Sequence, residues 1–498
     1  MSGSITFSTI PLSTLLVPMV AAEVDASGAN TSGQIYRGLN IATMASTGTA
    51  LPGVPVLVSG TSDSGVLFGI GSMAYMMVAD YRNQDPFGEL WVLPIAQPGT
   101  GSAPTATMTI TGPATASGNL FVYIGGQLVT CPVTAGDAAT AIATHFVAAC
   151  SLSLLPTLPV TATASAGVVT LTARDITVSG SDIDLQANYL GSAAGQATPA
   201  GVTLAFSVTN MGATGVANPS IATALAALGS HAFDFIMCGL NDATNLPLVA
   251  ALLNDTSGRW SWEQELFGHG VAFNNGNLSA QASFVAALNN QHLSVFGGYK
   301  SPWPMYRCAA DVGGAWAVST RANPALPVQN IDLNMLAPPL PYRLDISDRN
   351  IALTDGASTI KTTGASQTVL ERMVTTYTTN AAGAPDNSYR DVETMDTLTY
   401  LIRDLRTYLA STYARKILVA DGTPITGGSS MVTAQSIKAD IISRYRTYCN
   451  NGLAQNYATF AANAVAQNVG NGNVALQLPF DLANQLRVLA LKIAFVKS

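Results

Sequence analysis

The chain has 498 residues and a formal net charge of −7 at neutral pH, and only 10% of its residues are charged although 48% are hydrophobic. Soluble domains carry about 25% charged residues, and the cores of protein interfaces are depleted of charge, so we expect much of this surface to face other protein. The acidic balance argues against a nucleic-acid partner, which needs a basic surface, and no apolar run approaches the ~18–20 residues that span a membrane.

The first 30 residues are predicted to form an extended N-terminal arm. Ile5 and Phe7 alternate with polar residues, as in a strand, and two prolines that follow exclude a helix. The arm lacks the positive region of a signal peptide, because no Lys or Arg precedes Arg37, and we interpret it as a mature cytoplasmic segment. Such an arm has little to pack against in its own domain.

Residues 31–100 and 206–340 are predicted to form one α/β domain, because strand-like runs alternate with helical ones. The predicted strands are 54–60, 89–96, 232–240, 268–274 and 293–299, and the predicted helices are 72–84, 244–255 and 278–290. Strands that alternate with helices of about 10–15 residues are typical of parallel βαβ units. The α/β domain is therefore expected to contain a parallel sheet.

Residues 101–205 are predicted to form a β-rich domain inserted into the α/β domain. This stretch contains a single Arg and no Lys or Glu, and runs rich in Thr, Val and Ala alternate like strands between turn residues. One helix is expected to begin near Asp137, which is a good N-cap residue. We predict that this domain lies on the outside of any assembly.

Residues 341–487 are predicted to form a C-terminal α+β domain with helices over 391–416 and 430–452. The chain then ends in residues 488–498, which are predicted to form an arm strand with one strongly apolar face. The large apolar side chains of that face are Leu489, Leu491, Ile493 and Phe495. The predicted fold is therefore an α/β core with an inserted β-rich domain, a C-terminal α+β domain and an extended arm at each end.

The helix over 391–416 carries one apolar stripe and a charged outer face. The stripe repeats at spacings of three and four and consists of Met395, Leu398, Ile402, Leu405 and Leu409. Asp391 is expected to cap the helix, and Arg403, Asp404 and Arg406 are expected on or beside its outer face. This face is either an ordinary solvated surface or a docking face for a neighbouring subunit, and the helical pattern does not decide between them.

Two motifs support an alternative hypothesis, a soluble α/β enzyme. Gly69-x-Gly71 is either part of a dinucleotide fingerprint or a strand-to-helix turn, and no suitable acidic residue follows it. Glu263, Glu265 and His269 offer acid–base groups, but two residues at i,i+2 do not share a helix face. The five cysteines are odd in number and far apart, as in free thiols. We predict no catalytic, cofactor-binding or metal-binding residues, no cofactor and no enzymatic activity.

Several blocks of the sequence resemble contractile phage tail sheath proteins of the Mu-like kind. The central resemblance is the run ERMVTTYTTNAAGAPDNSYRDVETMDTLTYLIRDLR. Further blocks are similar to the family pattern, namely ITFSTIPLSTLLVPMVAAEVDASGAN, FGIGSMAYMMVADYR, GRWSWEQELFGHG and LPFDLANQLRVLALKIAF. The resemblance covers nearly the whole chain and is weakest in residues 101–205.

The resemblance implies a structural subunit of a contractile sheath, which forms stacked hexameric rings around a tail tube and shortens to drive the tube through the host envelope. The implied partners are further copies of the chain, the tail tube protein, the baseplate and the tail terminator, without nucleic acid or membrane insertion. The implied location is the virion tail, assembled in the host cytoplasm for genome ejection and host cell entry. The nearer alternative is the sheath of a phage-derived bacteriocin or other injection machine.

Family members lend terminal arms to the C-terminal domain of adjacent subunits. The resemblance therefore marks the apolar residues of both arms as subunit-interaction residues, namely Ile5, Phe7, Leu489, Leu491, Ile493 and Phe495. It also makes Arg403, Asp404 and Arg406 the tube-facing candidates. The arms themselves support this hypothesis, since an unpaired strand is satisfied by joining a neighbour's sheet, and head-to-tail contacts of this kind generate helical arrays.

Overall fold

The structure is a computed structural model that describes residues 35–151, 158–212, 215–425 and 430–495. Its strands are β1 Arg37–Met44, β2 Val56–Leu57, β3 Glu89–Ala96, β4 Thr105–Thr111, β5 Gly118–Ile124, β6 Gln127–Val133, β7 Val160–Ser165, β8 Val168–Ala173, β9 Leu185–Ala187, β10 Thr203–Phe206, β11 Phe235–Cys238, β12 His269–Asn274, β13 Leu293–Gly297, β14 Ile331–Asp332, β15 Thr359–Thr362, β16 Thr368–Arg372, β17 Ile417–Leu418, β18 Met431–Val432, β19 Val465–Gly470 and β20 Asn473–Gln477. Its α-helices are α1 Thr61–Phe68, α2 Met73–Gln84, α3 Ala139–Cys150, α4 Ala222–Ala226, α5 Leu246–Leu253, α6 Leu278–Leu288, α7 Met305–Ala322, α8 Ile346–Thr354, α9 Val392–Tyr413, α10 Ala434–Asn450 and α11 Tyr457–Asn463. Two short 3₁₀ turns cover Ser192–Ala194 and Leu340–Tyr342.

A six-stranded sheet forms the centre of the α/β domain, with the strand order β13-β12-β11-β1-β3-β2. All neighbouring strands are parallel except β2, which runs antiparallel to β3. Helices α2 and α7 cover one face, and helices α4, α5, α6 and α8 cover the other. Strands buried on both faces read as continuous apolar runs, which is why β3 and β12 agree closely with their predicted bounds.

Two antiparallel sheets and α3 enclose a separate core between residues 106 and 211. One sheet has the order β10-β4-β8-β7 and the other the order β6-β5-β9. Met108, Leu120, Phe146 and Leu171 are fully buried in this core. The side chains at alternate strand positions point inward, as expected for sheets with one covered face.

The C-terminal helices α9 and α10 and the hairpin β19–β20 enclose a fourth core. Tyr445 stacks on Phe460 with ring centroids 3.7 Å apart, and both rings contact Phe480. The mixed α/β multidomain architecture predicted from the sequence is confirmed. Of the described residues, none belongs to a helix that is both long and apolar enough to span a membrane.

The predictions were wrong around β2 and α1. The strand predicted over 54–60 is reduced to Val56–Leu57, and α1 follows it within a few residues. Gly69 and Gly71 therefore join helix α1 to helix α2, not a strand to a helix. Both glycines have positive φ angles, and a Cβ on Gly69 would lie 2.6 Å from the Thr47 Oγ1.

The C-terminal arm is not a strand within its own chain. Residues 488–495 pair with no strand in the described part of the chain. Whether they form a strand beside another subunit remains a prediction. Ile5 and Phe7 lie outside the described residues.

Candidate assembly interface

The C-terminal arm presents an apolar surface to solvent. Every residue from 488 to 495 is exposed. The four large side chains of its predicted apolar face are 74–87% exposed, and they are Leu489, Leu491, Ile493 and Phe495. Soluble monomers rarely expose a contiguous apolar surface without an interaction partner. Such an exposed apolar arm is typical of a segment that binds a second chain.

Arg487 fixes the position at which the arm leaves the body. Its Nη2 atom donates to Glu393 Oε2 at 2.8 Å and to Asp391 Oδ1 at 3.2 Å, at the start of α9. Its Nη1 atom donates to Gln329 Oε1 at 3.2 Å, and Gln329 Nε2 donates in turn to the Leu486 carbonyl oxygen. The chain is therefore held up to residue 487 and has no such contacts beyond it in the described part.

Asp391 does not cap α9 with its side chain, contrary to the prediction from sequence. Its carboxylate instead accepts hydrogen bonds from Arg372 Nε and Nη2 at 2.9 and 3.0 Å and from Arg487. Glu393 is fully buried beside it, and burial raises the pKa of this carboxyl while Arg487 opposes the rise. Two acidic groups at the start of α9 thus hold the root of the arm.

The β19–β20 hairpin offers a sheet edge within the C-terminal domain. The two strands pair from Val465 and Gln477 to Gly470 and Asn473, with a register shift between Asn468 and Gly470, and the turn between them is Asn471-Gly472. Strand β19 contacts α10, where Gln435 Nε2 donates to the Ala466 carbonyl oxygen at 3.4 Å. In the described residues no strand pairs with the outer side of β20. An open edge of this kind is a template for strand addition.

The three charged residues predicted on the outer face of α9 all have partners in the same chain. Arg403 pairs with Asp234 and donates to the Leu266 carbonyl oxygen at 2.9 Å. Asp404 accepts a hydrogen bond from Arg444 Nε at 2.8 Å. Arg406 pairs with Glu265 and has a half-exposed side chain. These ion pairs connect α9 to the α/β domain and to α10, and contact with a tube remains a prediction.

Asp396 is a buried acid on the inner face of α9. Its Oδ2 atom accepts hydrogen bonds from Trp316 Nε1 at 2.7 Å and Thr320 Oγ1 at 2.9 Å. Burial raises the pKa of this carboxyl to about 8, although the two hydrogen bonds act against the rise. The nearby carboxylates of Glu393 and Asp234 raise the pKa further. Asp396 is therefore largely protonated at neutral pH.

We expect Asp396→Asn to remove a pH dependence of stability. The Asp396 carboxyl loses its proton near pH ~4 in the unfolded chain and near pH 8 in the folded chain. The proton therefore stabilises the folded chain fully below pH ~4, and this stabilisation is lost as the pH rises to about 8. The free energy of unfolding of the wild type should fall relative to the variant by up to about 1.4 kcal/mol per pH unit. Urea denaturation at about pH 5 and about pH 8 measures this difference. Asp63→Asn, on an exposed side chain, is the control. If Asp396→Asn changed the free energy of unfolding equally at both pH values, the raised pKa of Asp396 would be contradicted.

The three acid–base groups of the enzymatic hypothesis, Glu263, Glu265 and His269, lie in different surroundings. His269 is fully buried, its Nε2 atom lies 2.8 Å from Ser294 Oγ, and burial lowers its pKa to about 3. Glu265 pairs with Arg406, and Glu263 is exposed on a loop. All five cysteines are free thiols. No cluster of three or more potential metal ligands occurs in the described residues.

Two features of this interface were missed by the sequence analysis. The signal for the hairpin was present, because Asn-Gly between two alternating runs is the strongest short-range indication of a tight hairpin turn. The contact between Arg487 and Glu393 had no such signal, since the two residues are 94 positions apart.

Two family models match the chain. The phage tail sheath protein central domain matches residues 214–376, and the phage tail sheath C-terminal domain matches residues 384–496. The chain is also 31% identical over 499 residues to the Mu-like prophage FluMu tail sheath protein of Haemophilus influenzae, covering 99% of this chain and 100% of that protein.

The comparison with solved structures also finds two bacterial sheath tail proteins. The protein from Desulfitobacterium hafniense is 13% identical with a TM-score of 0.49, covering 95% of this chain and 97% of that one. The protein from Listeria innocua is 13% identical with a TM-score of 0.49, covering 92% and 94%. The helical sheath of the anti-feeding prophage in its contracted state is 13% identical with a TM-score of 0.44, covering 96% and 99%.

Proposed function

The chain belongs to the contractile phage tail sheath protein family, and on this premise we propose that it polymerises as stacked hexameric rings around a tail tube. Family membership makes it a structural component of a phage tail and not an enzyme. In the proposed cycle, a trigger from the baseplate shortens the sheath, which drives the tube through the host envelope for genome ejection and host cell entry. The remaining partners are the tail tube protein and the tail terminator, and assembly takes place in the host cytoplasm.

The exposed C-terminal arm is the observation that carries this proposal. The arm begins directly after Arg487, whose guanidinium holds the preceding residues to the body, and its apolar side chains have no cover in the described part of the chain. A strand that joins a sheet in a neighbouring copy gains backbone hydrogen bonds and covers its apolar face at the same time. The open side of β20 is the proposed acceptor edge.

Burial of the apolar face of one arm would contribute a large favourable free energy to the contact between copies. Full burial of a large aliphatic or aromatic side chain stabilises by about 1.5–3 kcal/mol, so four of them give on the order of 6–12 kcal/mol before the cost of ordering the arm. Each copy donates an arm and accepts one, and such head-to-tail contacts generate open helical arrays. The arms would keep the copies linked while the bodies repack into a more stable lattice, without any nucleotide.

We propose that the C-terminal domain, residues 341–487, faces the tube. The tube-facing candidates remain Arg403, Asp404 and Arg406. The side chain of Arg406 is half-exposed, and those of the other two are mostly buried. Exposed ion pairs such as the one that Arg406 forms with Glu265 contribute little to stability, so Arg406 can exchange that partner for an acidic group of the tube at low cost.

We propose that the inserted domain, residues 101–205, faces outward in the assembly. A peptide of about ten residues inserted between Ala194 and Gly195, in an exposed turn of this domain, should be tolerated. The chain should still form tubes, and an antibody against the peptide should label their outer surface in electron micrographs. The same insertion between Asn471 and Gly472 is the matched control, and it should prevent tube formation because it lies in the hairpin whose β20 edge is the proposed acceptor. Tubes that the antibody fails to label would contradict the outward position.

Negative-stain electron microscopy of the purified full chain tests the proposed function. Tubes with a hollow lumen and a regular axial repeat are expected at high protein concentration, because the arms and the acceptor edge are both present in every copy. A protein that stays monomeric or forms a closed dimer under all conditions would refute polymerisation. Tube formation around added tail tube protein, with the lumen filled, is the further result expected for a sheath.

A further inference from the structure

The loop between α5 and β12 presents a tryptophan at its tip. Trp262 is 79% exposed, whereas its neighbours Ser261 and Arg259 are almost completely buried. The Arg259 carbonyl oxygen accepts hydrogen bonds from the backbone N–H groups of Leu266 and Phe267 at 2.8 and 3.0 Å, which closes the loop. We name residues 258–267 the tryptophan loop.

A hydrogen bond and a ring stack hold the tryptophan loop in place. Trp260 donates from Nε1 to the Gly268 carbonyl oxygen at 2.8 Å and stacks on His292 with ring centroids 4.7 Å apart. Glu265 and Phe267 adopt positive φ angles of 48° and 58°, a conformation that costs non-glycine residues free energy and is kept where the surroundings enforce it. A preordered aromatic side chain loses little entropy on binding, and Trp is enriched among residues that dominate interface energies.

A cleft lies at the other end of the same parallel sheet. Its apolar lining comes from Tyr299, Tyr342, Leu344 and other residues, and Arg343 and Lys361 supply positive charge. No carboxylate lines it among the described residues. At its rim, Lys300 lies 5.9 Å from the ring centroids of both tyrosines. The cleft therefore combines aromatic walls with cations and fits an aromatic side chain next to an acidic group.

The loop and the cleft occupy opposite ends of β12. The tryptophan loop precedes the strand, whereas the cleft includes Gly276 and Gly297, which lie at the ends of β12 and β13. Six residues at ~3.3 Å per residue separate the two ends by about 20 Å. Copies stacked in the same orientation along the strand direction would bring the loop of one copy to the cleft of the next.

We propose that Trp262 docks into the cleft of a second copy of this chain, with Glu263 beside Lys300. Charge complementarity selects this occupant, because the exposed tip carries an acidic residue and the cleft carries cations. This contact joins the bodies directly and is distinct from the exchange of arms. The proposal rests on the proposed sheath function, because it requires copies packed in a polymer. Stacking in one orientation makes the contact heterologous, so it propagates and does not close.

Cysteine cross-linking of full-length tubes tests the docking. A mixture of Gln264→Cys chains with Thr362→Cys chains, which keep Trp262, Glu263 and Lys300, should give cross-linked dimers with a short bismaleimide, whereas either variant alone should give none. A chain carrying both substitutions should give a ladder of dimers, trimers and longer species. Wild-type tubes control for the native cysteines, of which Cys150 and Cys449 are half-buried. Phe87→Cys, on a side chain that is 97% exposed, replaces Gln264→Cys in the matched control and should not cross-link to Thr362→Cys.

Charge reversal supplies an independent readout with the same full chain. Glu263→Lys and Lys300→Glu should each raise the critical concentration for tube formation about tenfold, the equivalent of ~1.4 kcal/mol, and the two together should return it to within about threefold of the wild type. Tubes that form normally without the predicted cross-links overturn the docking but leave the sheath function intact. A double variant whose cross-linking stops at dimers indicates a two-fold contact and also overturns it. Absence of tubes from the wild type refutes both proposals.

Discussion

A chain that lacks residues 488–498 is expected to fold and to remain monomeric at concentrations where the full chain forms tubes. The arm makes no contact that its own body needs, because all its described residues are exposed and the last hydrogen bonds to the body come from Arg487. Its removal therefore takes away the tether between copies and leaves the four hydrophobic cores intact. An effect on assembly without an effect on folding is the signature of an interface segment.

Sedimentation velocity and negative-stain microscopy measure the loss of assembly, and circular dichroism with thermal melting verifies the fold. Two matched full-length variants distinguish the effect of losing the apolar side chains from the effect of shortening the chain. Serine substitutions on the predicted apolar face, at Leu489, Leu491, Ile493 and Phe495, should abolish tubes as the deletion does. Serine substitutions on the other face, at Val488, Ala490, Lys492 and Ala494, should largely preserve them. Sheath-sized tubes from the shortened chain would refute the tether role.

The parallel sheet was predictable in part, because a buried parallel strand needs an uninterrupted apolar run between turn residues. Four of its five parallel strands were predicted, whereas β1, which pairs with both β11 and β3, was not. The run ELWVLPIA coincides with β3, Glu89–Ala96, and the helix predicted over 72–84 differs from α2 by one residue. Both elements are bounded by residues with clear local preferences, such as Ser72, whose hydroxyl accepts the Tyr75 N–H. Local rules suffice where the local and the tertiary demands agree.

Helix α7 could not be predicted in the same way. Fourteen of its 18 residues are buried, and these include the charged residues Arg307 and Asp311, so charge in this segment does not mark a solvent-facing side. Gly313 and Gly314 also read as helix breakers, yet they allow close packing, because a Cβ on Gly313 would lie 2.6 Å from Met237 Sδ and one on Gly314 would lie 2.7 Å from the Tyr81 carbonyl oxygen. The reason for these glycines is a tertiary contact that no local window contains.

The candidate interface was also predictable only in part. Alternation in residues 488–495 was sufficient to predict an apolar arm, because that pattern is local. Its root was not predictable, because Asp391 and Glu393 hold Arg487 across more than ninety positions of sequence. The sequence left the charged outer face of α9 as either a solvated surface or a docking face for a neighbouring subunit. In the structure, Arg403 and Asp404 instead form ion pairs with other elements of their own chain.

A buried ion pair within the α/β domain also contacts the inserted domain through its arginine. Arg307 in α7 donates from Nε and Nη2 to the carboxylate of Asp80 in α2, at 2.7 and 2.8 Å. Its Nη1 atom donates to the Gly125 carbonyl oxygen of the inserted domain at 3.1 Å, and its guanidinium lies 4.0 Å from the Trp303 ring centroid. Both partners are almost fully buried. A single side chain thus contacts both domains, which favours their movement as one body.

Arg307→Met is expected to lower the free energy of unfolding by about 3–5 kcal/mol, because it leaves Asp80 buried without its cation. Replacing both partners, as Arg307→Met with Asp80→Asn, should recover most of this loss, since no uncompensated charge then remains. Urea denaturation of dilute, polymer-free protein measures both variants. Arg406→Met is the matched control, because its pair with Glu265 is half-exposed and should contribute less than about 1 kcal/mol. Limited proteolysis should also release the inserted domain faster from the Arg307→Met chain, and equal proteolysis of all four proteins would show that the pair does not couple the domains.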